Sequence, residues 1–169
     1  MEFRKDLLTD IGHLLMISNQ TISVAESATS GCLQLAFSQM PNASLVYKGG
    51  ITAYSLMEKV NLLDIDREEG ERCDYVSENI AQTMALSVGD LFKTDWTVAT
   101  TGYCTPTRNS GFNIYLYFSI TFKEEILFTR KIELHPKTEA VTAQLYYTEY
   151  ILGCLKSELQ KVSLTAKTS

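Results

Sequence analysis

The order of its apolar periods most constrains how this chain can fold. Residues 21–25, Thr-Ile-Ser-Val-Ala, form a short run rich in β-branched residues, the pattern of a buried strand. Leu33, Leu35, Ala36, Phe37 and Met40 follow at helical spacing, and Pro41-Asn42 stops them. Residues 51–54 read as a second strand, leading into a helix at Ser55, where Ser55 and Glu58 fit a capping box. A further helix opens at Val76-Ser77, with Ile80, Met84, Ala85, Val88 and Leu91 on its apolar face. Residues 96–101 are a third strand, ended by Gly102. Residues 114–121 and 126–132 are longer strands joined around Lys123-Glu-Glu125, a hairpin.

Helices alternating with strands early and a hairpin late predict an α/β chain: a three-layer α/β/α domain around a mixed, mainly parallel sheet. An amphipathic helix over residues 3–18, carrying Leu7, Leu8, Ile11, Leu14 and Leu15, precedes the first strand. A last helix, capped by Thr138, carries Val141, Leu145, Leu152, Leu155 and Leu159, and a polar, frayed tail follows Val162. Residues 45–47 are extended, Gly49-Gly50 interrupts them, and the charged stretch 64–74 reads as a solvated loop or a loose turn. With 169 residues and no repeat or linker, a single domain over 1–169 is expected. Ligands in such sheets sit outside the carboxyl ends of the strands, where Ser27, Tyr54 and Gly102 all fall.

Composition removes several function classes. A net charge of −5 with scattered Lys and Arg argues against nucleic acid. No run of 18 or more apolar residues predicts a membrane span, and Met1-Glu-Phe-Arg-Lys-Asp does not read as a signal peptide. Cys32, Cys73, Cys104 and Cys154 match no zinc spacing and read as reduced thiols in a cytoplasmic protein. His13 and His135 are too few for a histidine-rich metal site, so no metal is expected. Asp64, Asp66, Glu68 and Glu69 lack the spacing of a calcium loop.

Three side chains offer chemistry, each with a plainer alternative. Ser27 lies where a strand turns into a helix, which suits a nucleophile facing backbone N–H groups; Ser27 or Thr29 equally suits a helix cap. Lys59 sits in the first turns of a helix, whose positive end favours a neutral amine and hence a base; otherwise it is a surface lysine. Tyr54 either relays a proton or packs as a hydrophobic staple. Glu26 is a general base, a holder of N–H groups or an ordinary surface carboxylate.

These residues resemble a known family. Ala25-Glu-Ser-Ala-Thr-Ser-Gly31 is similar to the A-E-S-C-T-G-G segment of the CinA C-terminal domain family. Gly49-Gly-Ile-Thr-Ala-Tyr-Ser-Leu-Met-Glu-Lys59 resembles its G-G-x-x-x-Y-S-N-x-x-K segment. Val76-Ser77-Glu78 and Ala99-Thr-Thr-Gly102 resemble its V-S-E and A-V-T-G. The family includes competence/damage-inducible proteins and nicotinamide mononucleotide deamidases. The resemblance therefore implies a metal-free, cofactor-free amidohydrolase with Ser27 as nucleophile, Lys59 as base and Tyr54 as proton relay, and N–H groups near Thr29–Gly31 as the oxyanion site. It implies substrate-binding roles for Glu26, Thr29, Gly31, Gly50, Thr101 and Gly102, a nucleotide or other amide as partner, and mildly favours a homodimer.

The chain also departs from that pattern. Ala28, Ser30 and Leu56 replace the family's cysteine, first glycine and asparagine. Residues 103–111 replace a longer, glycine-rich loop with a lysine-proline, and His135-Pro-Lys-Thr138 stands where the family has G-D-R. Arg108 and Lys137 are the candidates to meet a phosphate in place of that arginine. Two alternatives follow: a non-catalytic relative that binds a nucleotide or protein, and an amidase for a different substrate, with or without a phosphate.

Overall fold

The computed structural model describes residues 3–167. Its elements run α1 (Lys5–Ile17), β1 (Ile22–Glu26), α2 (Cys32–Ser38), α3 (Ala43–Val46), β2 (Tyr47–Thr52), α4 (Leu56–Leu63), α5 (Arg67–Arg72), α6 (Glu78–Phe92), β3 (Trp96–Tyr103), β4 (Ile114–Phe122), β5 (Glu125–Leu134) and α7 (Ala140–Lys167). The sheet order is β2-β1-β3-β4-β5. β1 pairs in parallel with β2 and β3, and β4 is antiparallel to both β3 and β5. The mixed sheet is as expected, and its parallel half carries the candidate site.

Strand alternation sorts the core into two faces. Val24, Trp96, Val98, Leu116 and Phe118 pack with Leu8, Ile11 and Leu15 of α1, Leu33 and Phe37 of α2, and Tyr147, Ile151 and Leu155 of α7. Ala25 and Ala99 point the other way, to Ile80, Met84, Ala85 and Val88 of α6 and Leu63 of α4. Small residues there let α6 lie close across all five strands. Each fully buried Leu, Ile or Phe contributes roughly 1.5–3 kcal/mol. No described helix is long and apolar enough to cross a membrane. The four cysteines are free thiols.

Several local expectations are corrected. Gly49-Gly50 does not interrupt a strand. β2 runs through it, and Gly50 pairs with Val24. A Cβ on Gly50 would stand 2.6 Å from a Val24 methyl and 2.7 Å from the Val24 carbonyl oxygen, so glycine lets the edge strand close on β1. Residues 45–46 belong to α3 rather than to an extended segment. Within the charged stretch, Asp66 accepts from the Glu69 N–H and starts α5. The Thr138 hydroxyl donates to the His135 carbonyl, closing a turn instead of capping α7. Leu91 and Val141 are exposed. α7 continues through Lys167, so only the last two residues of the expected tail lie outside the described residues. The hairpin turn is Lys123-Glu124 alone, both at positive φ (50° and 66°), with Phe122 paired to Glu125.

Candidate active site

The three parallel strands end at one edge of the sheet. A cleft of about 260 Å³ opens there, walled by Ser27, Tyr54, Lys59, Asp74, Gly102, Tyr103, Cys104 and Gln144 among others. Ser27, Lys59 and Tyr54 therefore share one cavity, drawn from the end of β1, the start of α4 and the segment between β2 and α4.

Ser27 is not a cap. α2 begins after Gly31, which has φ +93° and makes no side-chain cap bond. The helix N-terminus is held by Glu26, whose buried carboxylate accepts N–H bonds from Gly31 (3.1 Å), Leu33 (3.0 Å) and Gln34 (2.9 Å). A carboxylate at that end of a helix satisfies orphan donors and opposes the dipole. Glu26 thus fixes the turn that presents Ser27, and its oxygens face α2, not a ligand. Ser27 is 6% exposed, and its hydroxyl has no hydrogen-bond partner among the described residues. Ser30 and Gly31 N–H groups are occupied by the Ser27 carbonyl and by Glu26. The N–H groups of Ala28 and Thr29 make no hydrogen bond among the described residues, and Ala28 is on the cleft wall. The Ala28 carbonyl is fixed by Gln144 Nε2 (3.1 Å) and Cys104 Sγ (3.2 Å).

Lys59 and Leu63, four residues apart, are the buried face of α4. Lys59 is 2% exposed. Its Nζ donates to Thr101 Oγ1 (3.0 Å) and the Tyr75 carbonyl (3.2 Å), and Thr101 Oγ1 donates to the same carbonyl (2.7 Å). Burial pushes the amine down to about 8, with Asp74 and Cys73 pulling partly the other way. The plain reading of a surface lysine does not hold. Among the described residues no hydrogen bond joins Lys59 to Ser27. Tyr54 is 72% exposed, at the cleft rim.

The remaining expected residues divide. Gly102 is on the wall, Thr101 braces Lys59, and the buried Thr29 hydroxyl is shared with Thr100 at 2.9 Å. Gly31 and Gly50 serve the backbone. Tyr103, Cys104, Thr105 and Thr107 border the cleft, as expected of the altered loop. Arg108 and Lys137 are exposed and are not on its wall.

Sequence reasoning missed the other wall. Asp74 and Tyr75 stand in succession at φ +51° and +56°. For a tyrosine this is an uncommon conformation, and two in a row carry strain. The Tyr75 ring is seated on Gly70, where a Cβ would lie 2.2 Å from it. Asp74 accepts a short hydrogen bond from the Tyr103 hydroxyl, and desolvation together with that bond pushes Tyr103 upward. Nothing in the charge-rich stretch 64–74 separated Asp74 from its solvated neighbours. For Lys59 the signal was present, as a helical position in register with Leu63.

Comparison with known proteins gives consistent results. The model of the CinA C-terminal domain matches residues 4–157. A CinA-like protein of Thermosynechococcus vestitus is 42% identical over 96 residues, which is 57% of this chain and 23% of that protein. One from Fervidobacterium nodosum is 33% identical over 106 residues, 63% of this chain and 26% of that protein. The chain thus matches about a quarter of the length of these curated relatives. Among solved structures, a competence-damaged protein (CinA) superfamily protein from Klebsiella pneumoniae superposes with a TM-score of 0.85 at 21% identity, covering 95% of this chain and 99% of that one. A competence or damage-inducible protein from Enterobacter asburiae gives 0.85 at 24%, covering 92% and 97%. These two likenesses establish the fold.

Proposed function

The chain belongs to the CinA C-terminal domain family, and from that premise we propose that it is a serine amidohydrolase that releases ammonia from a carboxamide, the reaction type of the nicotinamide mononucleotide deamidases. One observation carries the reading. A free serine hydroxyl shares a cleft with a buried lysine amine lowered to about 8. A base titrating near neutrality in a desolvated wall is what an activated serine needs.

Ser27 Oγ attacks the carboxamide carbon and its proton passes to neutral Lys59. The oxyanion is met by the Ala28 and Thr29 N–H groups. Collapse breaks the C–N bond, and the amine nitrogen leaves as ammonia after taking the proton back, with Tyr54 as the relay. Water then attacks the acyl-serine, returning the carboxylate product and the free hydroxyl. Substrate binding must bring Lys59 and Ser27 together or trap a bridging water, because catalytic hydrogen bonds often tighten only in the complex.

The test is ammonia release from nicotinamide mononucleotide and from its unphosphorylated nucleoside, comparing wild type with Ser27→Ala. Turnover by wild type and a loss of at least about a thousandfold in the variant support the reading. Full activity in Ser27→Ala, or none in wild type with either amide, overturns it. A binding-only role is the second reading, favoured by the lack of a Ser27–Lys59 hydrogen bond among the described residues. Ligand-induced thermal stabilisation without ammonia release would select it.

A further inference from the structure

We propose that Asp74 is a specificity-determining residue that selects an unphosphorylated carboxamide, neutral or cationic, and rejects its phosphorylated counterpart. The inference rests on the carboxamide reading of the same cleft. Among the described wall residues, Asp74 is the carboxylate and Lys59 the cation. The two are not equivalent toward a ligand. The Lys59 amine is buried and its hydrogen bonds are spent inward on Tyr75 and Thr101. Asp74 belongs to the turn that builds the wall and is held there by the Tyr103 hydroxyl.

That turn is fixed rather than adaptable. The positive φ angles of Asp74 and Tyr75 are locked by the Tyr75 ring on Gly70 and by two donors on the Tyr75 carbonyl. Swinging the carboxylate away from an incoming anion would give up its hydrogen bond from the Tyr103 hydroxyl. The exposed cations that could offset it, Arg108 and Lys137, are off the wall. A phosphate entering beside Asp74 meets a like charge, with no arginine to pair it, and such a juxtaposition is costly. A positive ring or a hydrogen-bond donor meets an acceptor already oriented.

The experiment uses nicotinamide riboside and nicotinamide mononucleotide, two carboxamides that differ by one phosphate. Calorimetric binding is measured on Ser27→Ala, which keeps the ligand intact, and on Ser27→Ala with Asp74→Asn. The riboside should bind roughly tenfold or more tightly than the mononucleotide, the scale of one unfavourable charge contact. Asp74→Asn should narrow that ratio to about threefold or less, chiefly by strengthening the mononucleotide. Equal or tighter binding of the mononucleotide to the Ser27→Ala protein overturns the proposal without recourse to Asp74→Asn, should that variant fold poorly. So does failure of both ligands to bind, or a ratio that Asp74→Asn leaves unchanged. Ammonia release by wild type is scored separately. A bound riboside that is never hydrolysed refutes the reaction and leaves the selectivity standing.

Discussion

Replacing Lys59 by methionine should make the folded protein more stable at neutral pH while abolishing turnover. The amine is buried and displaced from its ordinary 10.5 to about 8. That displacement amounts to about 3 kcal/mol, at roughly 1.4 kcal/mol for each factor of ten. Below pH 8 both folded and unfolded chains hold the proton, and the folded state carries the full cost of burying it. Between pH 8 and 10.5 the unfolded chain keeps the proton that the folded one has lost, so wild-type stability rises with pH. Methionine has no such term, and the Thr101 hydroxyl still satisfies the Tyr75 carbonyl after the replacement. Lys59→Met should exceed wild type by about 1–3 kcal/mol at pH 7, a rise in Tm of roughly 2–10 °C for a chain of this size. Urea titrations of both proteins at pH 7, 8, 9 and 10 measure the difference directly. Wild type should gain about 3 kcal/mol on the variant across the window from 8 to 10.5. A difference that stays flat with pH, or one that favours wild type as pH falls, would refute the assignment of a desolvated amine.

Other outcomes follow from the same geometry. The pH profile of kcat/KM for a good amide substrate should rise with pH and level off above an inflection near 8, where Lys59 becomes neutral; a profile flat from pH 6 to 9 would contradict its role as base. Gly70→Ala places a Cβ 2.2 Å from the Tyr75 ring and should cost about 1–3 kcal/mol in chemical denaturation while lowering turnover, because the Tyr75 carbonyl braces Lys59. The Tyr147 hydroxyl is closed off from solvent and has no hydrogen-bond partner among the described residues. Tyr147→Phe should therefore stabilise by about 1 kcal/mol, and a clear loss in Tm would show that the hydroxyl is satisfied.

Much of the fold was legible because periodicity and capping are local. Ser55 and Ser77 begin their helices as read, and the parallel strands deliver Ser27, Tyr54 and Gly102 to one edge. What was not legible depends on partners distant in sequence. Gly49-Gly50 reads as a break until β1 is laid beside it, when Gly50 becomes the residue that permits close pairing. Glu26 looks like any carboxylate beside a serine until α2 turns its N–H groups back onto it. The stretch 64–74 is charged enough to pass for loop, yet Asp66 caps a helix within it and Asp74 reaches the cleft through an uncommon backbone turn. Arg108 and Lys137 were chosen for charge alone; both are exposed, and neither is a wall residue of the cavity.

The most direct test of the central claim is acylation of Ser27. An activated ester such as p-nitrophenyl nicotinate presents the acyl group without needing ammonia to leave, and peptide mass spectrometry after an acid quench locates the adduct. The account predicts a nicotinoyl mass on the peptide containing Ser27, formed more slowly below pH 8, absent in Ser27→Ala and strongly reduced in Lys59→Met. Label on another residue, or label that persists in Ser27→Ala, would contradict it.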